Sequence, residues 1–179
     1  EGVGSEGFVN LPAEMDESDS LSEVSLKLFC ALSTAMSETQ KNLTYEDIQS
    51  VVDGVLNAKD VYFIGVGGAV AVCEEAVHLM LKAGIRATCH RDGYSQQVVA
   101  ATATEDAIFF GVSHTGTTED VAGALSVARA KGAMTVAITS NLVSPVAKAA
   151  EISLWTWTPD TPQIPLYADF LEGRMCKIY

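Results

Sequence analysis

The spacing of apolar residues predicts alternating helices and strands. Apolar positions recur at helical spacing from Leu21 to Met36, and a second helix is predicted from Thr44, its N-cap, to Leu56. Five short apolar runs further along are typical of buried strands, with helical stretches between them. The predicted strands are Asp60–Gly65, Ile85–Cys89, Ala107–Val112, Met134–Thr139 and Ile152–Trp155, and the intervening helices are Ala69–Lys82, Tyr94–Thr104, Thr118–Lys131 and Ser144–Ala150.

This alternation predicts an α/β fold, a three-layer, doubly wound, five-stranded parallel sheet preceded by two helices. A flavodoxin-like sheet of five strands most often has the order 2-1-3-4-5. Its ligand crevice lies where the order reverses, outside the carboxyl ends of strands 1 and 3. We therefore expect any small-molecule site at those two strand ends.

Two unusual loops follow those strands. Gly65-Val66-Gly67-Gly68-Ala69 allows bare backbone to approach a ligand, and Ser113-His114-Thr115-Gly116-Thr117-Thr118 places hydroxyls at a helix start. Hydroxyl groups and free N–H groups at a helix start can converge on one small anion. The second loop alone is equally consistent with an ordinary capped turn. Because two independent loops face one crevice, the pair favours a phosphate site.

The glycine loop leaves a second interpretation open, a dinucleotide-binding fold. Gly65 and Gly67 match the first two glycines of the Gly-x-Gly-x-x-Gly pattern, and Asp92 lies near the position of its acidic residue. The third glycine position, however, is Val70. A pyrophosphate on the first helix would also not require hydroxyls in the second loop, so this interpretation is the weaker one.

Composition and charge narrow the range of partners. The chain has 179 residues, 48% of them hydrophobic and 19% charged, which indicates a compact body. A formal net charge of -12 with scattered Lys and Arg argues against direct DNA binding. No apolar run is long enough to span a bilayer, and no secretory signal opens the chain. The four widely spaced cysteines favour reduced thiols in a cytoplasmic protein over disulfides or a zinc site.

Both ends of the chain differ from the middle. Residues 1–20 are acidic, contain three glycines and lack periodicity, so they are predicted to form a flexible linker. Residues 158–179 contain three prolines before a helix predicted near Ala168. The chain thus reads as one domain over residues 21–179, cut from a longer protein.

Several motifs together resemble one known family. Gly-x-Gly after the first strand, Ser113–Thr118 after the third, and Ala137-Ile138-Thr139-Ser140 with Ser144-Pro145-Val146-Ala147 resemble the SIS (sugar isomerase) domain, a phosphosugar-binding fold. Ser37-Glu38-Thr39 and Leu56-Asn57-Ala58-Lys59, with Asp92 and Ser144-Pro145, look like the effector domain of RpiR-type transcriptional regulators. Such regulators join an N-terminal helix-turn-helix domain to a C-terminal phosphosugar sensor.

The resemblance implies a set of site residues. Ser113, Thr115 and Thr118 would hold the phosphate, helped by backbone N–H groups near Gly67, Gly68 and Gly116. The chain departs from the family at Ala69, where a hydroxyl is usual, which removes one phosphate contact. No cofactor or metal is implied. The partners would be a sugar phosphate and a second copy of the chain, with DNA bound only through a domain that this sequence lacks.

Sensor and isomerase remain alternatives at this stage. Isomerisation needs a general base with a tuned pKa close to the sugar carbon, whereas sensing needs only differential binding. His78 is predicted to be an ordinary helix residue, and no other candidate stands out as a base, so sensing is preferred. The candidates for contacts to sugar hydroxyls are Asp92, His114 and Asp120. The same three residues, with Glu119 and His90, are the candidates for a base in an isomerase.

Overall fold

The structure is a computed structural model that describes residue 16 and residues 18–157. Within this range, a 22-residue helix and a second helix precede an alternating set of strands and helices. Most of the linker predicted over residues 1–20 and the helix predicted near Ala168 lie outside the described residues. The elements are α1 Leu21–Asn42, α2 Tyr45–Asn57, β1 Asp60–Gly65, α3 Ala69–Lys82, β2 Ala87–His90, α4 Gly93–Ala101, β3 Ala107–Val112, α5 Glu119–Ala130, β4 Met134–Thr139, α6 Pro145–Ala149 and β5 Ile152–Trp155.

The five strands form one sheet in the order β2-β1-β3-β4-β5, and every neighbouring pair is parallel. The order reverses between β1 and β3, which pair directly, with Gly65 opposite Val112. The predicted α/β class and strand order are therefore confirmed. The loops that leave β1 and β3 emerge side by side at the carboxyl edge of the sheet.

Apolar side chains cover both faces of the sheet. Along β3, Phe109 packs into one cluster while Ile108 and Phe110 pack into the other, as the alternation of strand side chains requires. One cluster contains residues of α4, α5 and α6, and the second contains residues of α2 and α3. On the first face, Gly111 lets α5 approach closely, because a Cβ there would lie 2.6 Å from Leu125 Cδ1.

Helix α1 lies outside this three-layer core. Ser20 and Glu23 form a reciprocal capping box at its start, and Asp19 pairs with Lys27. Its buried residues are small and four positions apart: Ala31, Ala35 and Thr39. Near its C-terminal end, Thr39 Oγ1 accepts a hydrogen bond from the backbone N–H of Trp157 at 2.9 Å. That bond ties α1 to the chain that follows β5.

Two predicted boundaries are wrong by more than one residue. The second strand begins at Ala87 rather than Ile85, because Gly84 has φ +79° and the Ile85 N–H donates to Met80 O, closing the end of α3. Helix α4 ends at Ala101 rather than Thr104. There the Thr102 hydroxyl bonds back to Val98 O at 3.0 Å, which competes with continuation of the helix. Among the described residues, no helix is long and apolar enough to cross a membrane.

Candidate phosphate site and adjoining cleft

The loop after β3 places an inner pair of hydroxyls beside the glycine loop. Ser113 is 4% exposed and its Oγ lies 2.9 Å from Thr118 Oγ1. The Gly116 N–H donates to the same Ser113 Oγ at 3.1 Å. Ser113, Gly116 and Thr118, which the sequence predicted to act together, are thus joined by hydrogen bonds at one point. The donors that would bind an anion satisfy one another here, and an anion would have to replace those bonds.

Thr115 is directed differently from the inner pair. Its Oγ1 lies 2.8 Å from Thr117 Oγ1, and both side chains are exposed and line a cleft on the β4 side of the loop. The three hydroxyls predicted to hold the phosphate therefore form two groups, Ser113 with Thr118 and Thr115 with Thr117. In sequence Thr115 lies between Ser113 and Thr118, but its side chain lines the cleft.

Helix starts at the crevice lack side-chain caps. Thr118 is the N-cap of α5, yet its hydroxyl makes no capping bond, and Gly68, the N-cap of α3, has no side chain to offer. The other four helices described are capped by the side chains of Ser20, Thr44, Asp92 and Ser144. First-turn N–H groups at a helix start need an acceptor and carry a partial positive charge. The two starts without a side-chain acceptor are those predicted to face the phosphate, and at α3 the Ala69 and Val70 N–H groups donate to Val66 O and Gly67 O instead.

Gly116 gives the hydroxyl loop its shape. Its φ is +71°, and a Cβ there would collide with Ser144 Oγ and lie 2.9 Å from Thr139 Oγ1. Its carbonyl accepts the Val146 N–H at 3.0 Å, so the loop rests directly on the start of α6. Only glycine combines this backbone conformation with this close approach.

Gln96 holds the end of β1, from which the glycine loop leaves, next to the end of β2. Gln96 is fully buried and its Nε2 donates at 3.0 Å to both Gly65 O, at the end of β1, and His90 O, at the end of β2. Its Oε1 has no hydrogen-bond partner among the described residues. Gly67, within the glycine loop, takes φ +59°. Ala69 is half-buried and its Cβ is directed at Gly65, because a Cβ on Gly65 would lie 3.1 Å from it.

Asp92 and Asp120, the acidic residues predicted to contact sugar hydroxyls, have other contacts. Asp92 caps α4 and accepts from Ser95 N–H at 2.9 Å and Ser95 O–H at 2.7 Å, which holds the pKa of its carboxyl below the ordinary value. The Asp120 carboxylate lies against Gly93, where a Cβ would be 2.5 Å from Asp120 Cγ. Both acids are exposed where α4 and α5 meet, Asp92 as the cap of α4 and Asp120 against its first residue, Gly93.

The histidines differ in their surroundings. His114 Nδ1 is hydrogen-bonded to Ser140 Oγ at 2.9 Å beside the cleft. His90 packs against Tyr62, and burial lowers the pKa of its imidazole. His78 is exposed on α3. Cys30, Cys73 and Cys89 are free thiols, and Cys176 lies outside the described residues.

An aromatic cleft of about 460 Å³ adjoins the hydroxyl loop. Sequence reasoning missed its two tryptophans, because Trp155 is the last residue of a predicted strand and Trp157 lies between two threonines just after it. Their alternate spacing after a strand end, in a chain with two tryptophans, was the available signal. The cleft is lined by His114, Thr115, Thr117, Ser140, Asn141, Trp155 and Trp157.

Comparison with known families agrees with this architecture. The family model of the SIS domain matches residues 55–168, and the chain therefore belongs to the SIS domain family. A curated relative is the HTH-type transcriptional regulator RpiR of Escherichia coli strain K12, 28% identical over 152 residues, which are 85% of this chain and 51% of the relative. The chain thus spans about half the length of the curated relatives that it matches.

Solved structures share the fold. The NanR protein of Vibrio vulnificus, complexed with ManNAc-6P, superposes with a TM-score of 0.77 at 20% identity, over 90% of this chain and 60% of that one. The sugar isomerase domain of an RpiR transcription factor from Sphaerobacter thermophilus gives a TM-score of 0.75 at 23% identity, over 87% of each chain. The predicted kinship to SIS domains and RpiR-type regulators is confirmed.

Proposed function

We propose that the chain is the phosphosugar-sensing domain of an RpiR-type transcriptional regulator. One observation carries the proposal: the start of α5, which lacks a side-chain cap, adjoins the Ser113–Thr118 hydroxyl pair, and the start of α3, also without a side-chain cap, follows the neighbouring strand β1. A phosphate there would accept bonds from hydroxyl groups and from N–H groups at two positive helix ends. The proposed phosphate residues are Gly67, Gly68, Ser113, Thr115, Gly116 and Thr118.

The relatives supply the regulatory part of this proposal. The curated relative is a helix-turn-helix regulator, and a protein of the same fold holds ManNAc-6P. DNA would be bound by a segment equivalent to the rest of those relatives, since a net charge of -12 suits this domain poorly to a polyanion. A regulator of this type would act in the cytoplasm.

Sensing fits the described residues better than isomerisation. A general base must reach the sugar carbon with its acceptor atoms available. Both carboxylate oxygens of Asp92 already accept hydrogen bonds in the α4 cap. Asp120 is exposed at the start of α5, with its carboxylate against Gly93. Incubation with aldose and ketose phosphates in heavy water should produce no deuterium at the carbon next to the carbonyl. Deuterium incorporation detected by NMR would establish the isomerase alternative.

Substitution of Thr118 tests the phosphate site. Thr118→Val keeps the side-chain volume and removes the hydroxyl, which should cost about 1.5–3 kcal/mol of binding, or roughly ten- to a hundredfold in Kd. Calorimetry against a panel of sugar phosphates measures it. Thr88→Val, the same change on the exposed edge strand β2, is the matched control. Equal affinities for both variants would place the phosphate elsewhere.

A second copy of the chain is the proposed partner of α1 and α2. Phe29 is 69% exposed and Leu56 is also 69% exposed, and further apolar side chains on both helices are uncovered. Large uncovered apolar side chains of this kind favour association, and most soluble oligomers are symmetric homodimers. Light scattering at micromolar concentration should report at least a dimer. Phe29→Glu should shift it toward monomer, whereas Thr34→Glu, at another exposed position of α1, serves as the control.

A further inference from the structure

The aromatic cleft and the phosphate site share one loop. Thr115 and Thr117, on the outer side of that loop, form one wall of the cleft, and the ends of β4 and β5 form the others. Its volume of about 460 Å³ falls within the range of small-molecule sites, roughly 300–1,000 Å³. A ligand whose phosphate lay on the hydroxyl loop would therefore have an adjoining space for its remaining atoms.

The chemistry of the cleft is aromatic and polar without formal charge. Trp155 and Trp157 are half-buried, and Trp155 Nε1 donates to Ser140 O at 3.0 Å, which fixes that indole. Hydroxyl groups and the Asn141 amide supply hydrogen-bonding groups. Among the described residues that line the cleft, none is Asp, Glu, Lys or Arg. Aromatic faces suit the C–H surface of a sugar, and neutral polar groups suit its hydroxyls.

The opposite side of the phosphate loop offers less. In the α4 cap, the two carboxylate oxygens of Asp92 accept hydrogen bonds from the N–H and the O–H of Ser95. Asp120 lies so close to Gly93 that even a methyl group would not fit between them. A sugar that took the Asp92 oxygens would have to break the α4 cap, whereas the groups that line the cleft require no helix cap to open.

We propose that the sugar end of the bound phosphosugar lies in this cleft against Trp155 and Trp157, which makes these two residues determinants of sugar specificity. The assignment rests on the proposed phosphosugar function and adds the location of the sugar to it. It replaces Asp92 and Asp120 as the expected sugar contacts and keeps His114, whose ring lines the cleft.

Intrinsic fluorescence provides a direct test. The sequence contains two tryptophans, and both line the cleft, so the emission of the chain reports on it. The probes are a panel of aldose and ketose phosphates, inorganic phosphate and a nucleoside monophosphate. We expect the bound sugar phosphate to change the emission, and inorganic phosphate to compete with it while leaving the emission of the free protein unchanged.

Variants separate the sugar contact from the phosphate contact. Trp157→Ala should weaken binding of the sugar phosphate at least about tenfold, while the affinity for inorganic phosphate stays within about twofold. Trp157→Phe, which keeps an aromatic ring, should lose less. Asn141→Ala, at an exposed position, gives a second probe if Trp157→Ala fails to fold. Thr118→Val, by contrast, should weaken both ligands.

The outcomes distinguish the two proposals. If a sugar phosphate binds and Thr118→Val weakens it, but emission and the Trp157 and Asn141 variants show no effect, the cleft assignment is wrong and the phosphosugar function stands. If no sugar phosphate in the panel binds, both are wrong. Tighter binding of the nucleoside monophosphate than of every sugar phosphate would overturn the sugar assignment and indicate that the two indoles contact a nucleobase.

Discussion

The starts of α4 and α5 are neighbours with opposite arrangements. Asp92 turns its carboxylate onto its own helix and takes both the N–H and the O–H of Ser95. Thr118 turns its hydroxyl away from α5 and toward Ser113, at the end of β3, at 2.9 Å. Both residues are ordinary N-cap types. The difference teaches that a polar residue at a helix start bonds either to its own helix or to a neighbouring strand end, according to which partner that strand end provides.

The largest effect is expected from a substitution at Gly116, in the turn that precedes α5. Gly116→Ala forces a side chain onto φ +71° and into Ser144, which should lower the free energy of unfolding by about 2–5 kcal/mol. Urea denaturation measures this. Gly67→Ala is the matched control, because Gly67 has φ +59° but no atom within 4 Å of its added Cβ. It should cost only about 1 kcal/mol. Equal costs would show that contact with Ser144 does not constrain the loop.

Giving α5 a cap like that of α4 should abolish binding. Thr118→Asp supplies a carboxylate for the first-turn N–H groups and places a negative charge where the phosphate would lie. Phosphosugar affinity should fall at least about a hundredfold, while the melting temperature holds or rises. Thr118→Asn, an uncharged cap, should lose less. Undiminished binding of the Asp variant in calorimetry would mean that the anion does not lie at α5.

Removing the cap of α4 should affect stability and spare binding. Asp92→Ala should lower the melting temperature by about 2–5 °C, with phosphosugar affinity unchanged. The folded pKa of Asp92 is depressed below 3.8, so its charged-state contribution is present above that pH and is lost as the pH falls through the folded pKa. The difference in melting temperature between the parent chain and Asp92→Asn should therefore shrink below about pH 3.8. A loss of phosphosugar affinity in Asp92→Asn at pH 7 would instead indicate that this carboxylate contacts the ligand.

The smallest effect is expected at the start of α3. Ala69→Ser restores the hydroxyl that the family resemblance leads one to expect, and it should tighten phosphosugar binding about three- to tenfold. The gain is limited because the Ala69 side chain is directed at Gly65, so the hydroxyl must turn toward the crevice. The same sugar without its phosphate is the control ligand. Equal tightening of both ligands would contradict a phosphate contact.

The fold could be predicted because its signals are local. Each strand is a short apolar run, and the glycine and hydroxyl loops fall at the strand ends that a doubly wound order brings together. The start of β2 was misplaced because Ile85 is apolar, as a strand residue would be, while its N–H is used to end α3. Hydrophobicity does not report which partner an N–H group takes.

The site was only partly predictable for a similar reason. Residue types identified Ser113, Thr115 and Thr118, and nothing in them indicated that Thr115 pairs with Thr117 at a cleft. Trp157 reaches that cleft while its backbone bonds to Thr39, a residue 118 positions away. Contacts of such sequence separation follow from the assembled sheet and not from any local pattern.

The Thr39–Trp157 hydrogen bond joins the C-terminal end of α1 to the segment that lines the cleft. Helix α1 has 22 residues, so its axis is roughly 33 Å long, and the bond to Trp157 lies near one end of it. A rotation of about 5° around that end would displace the Leu21 end by roughly 2 Å, an amplification set only by the rise per residue of a helix. In any such rotation, the far end of α1 would therefore move much further than the segment that carries Trp157.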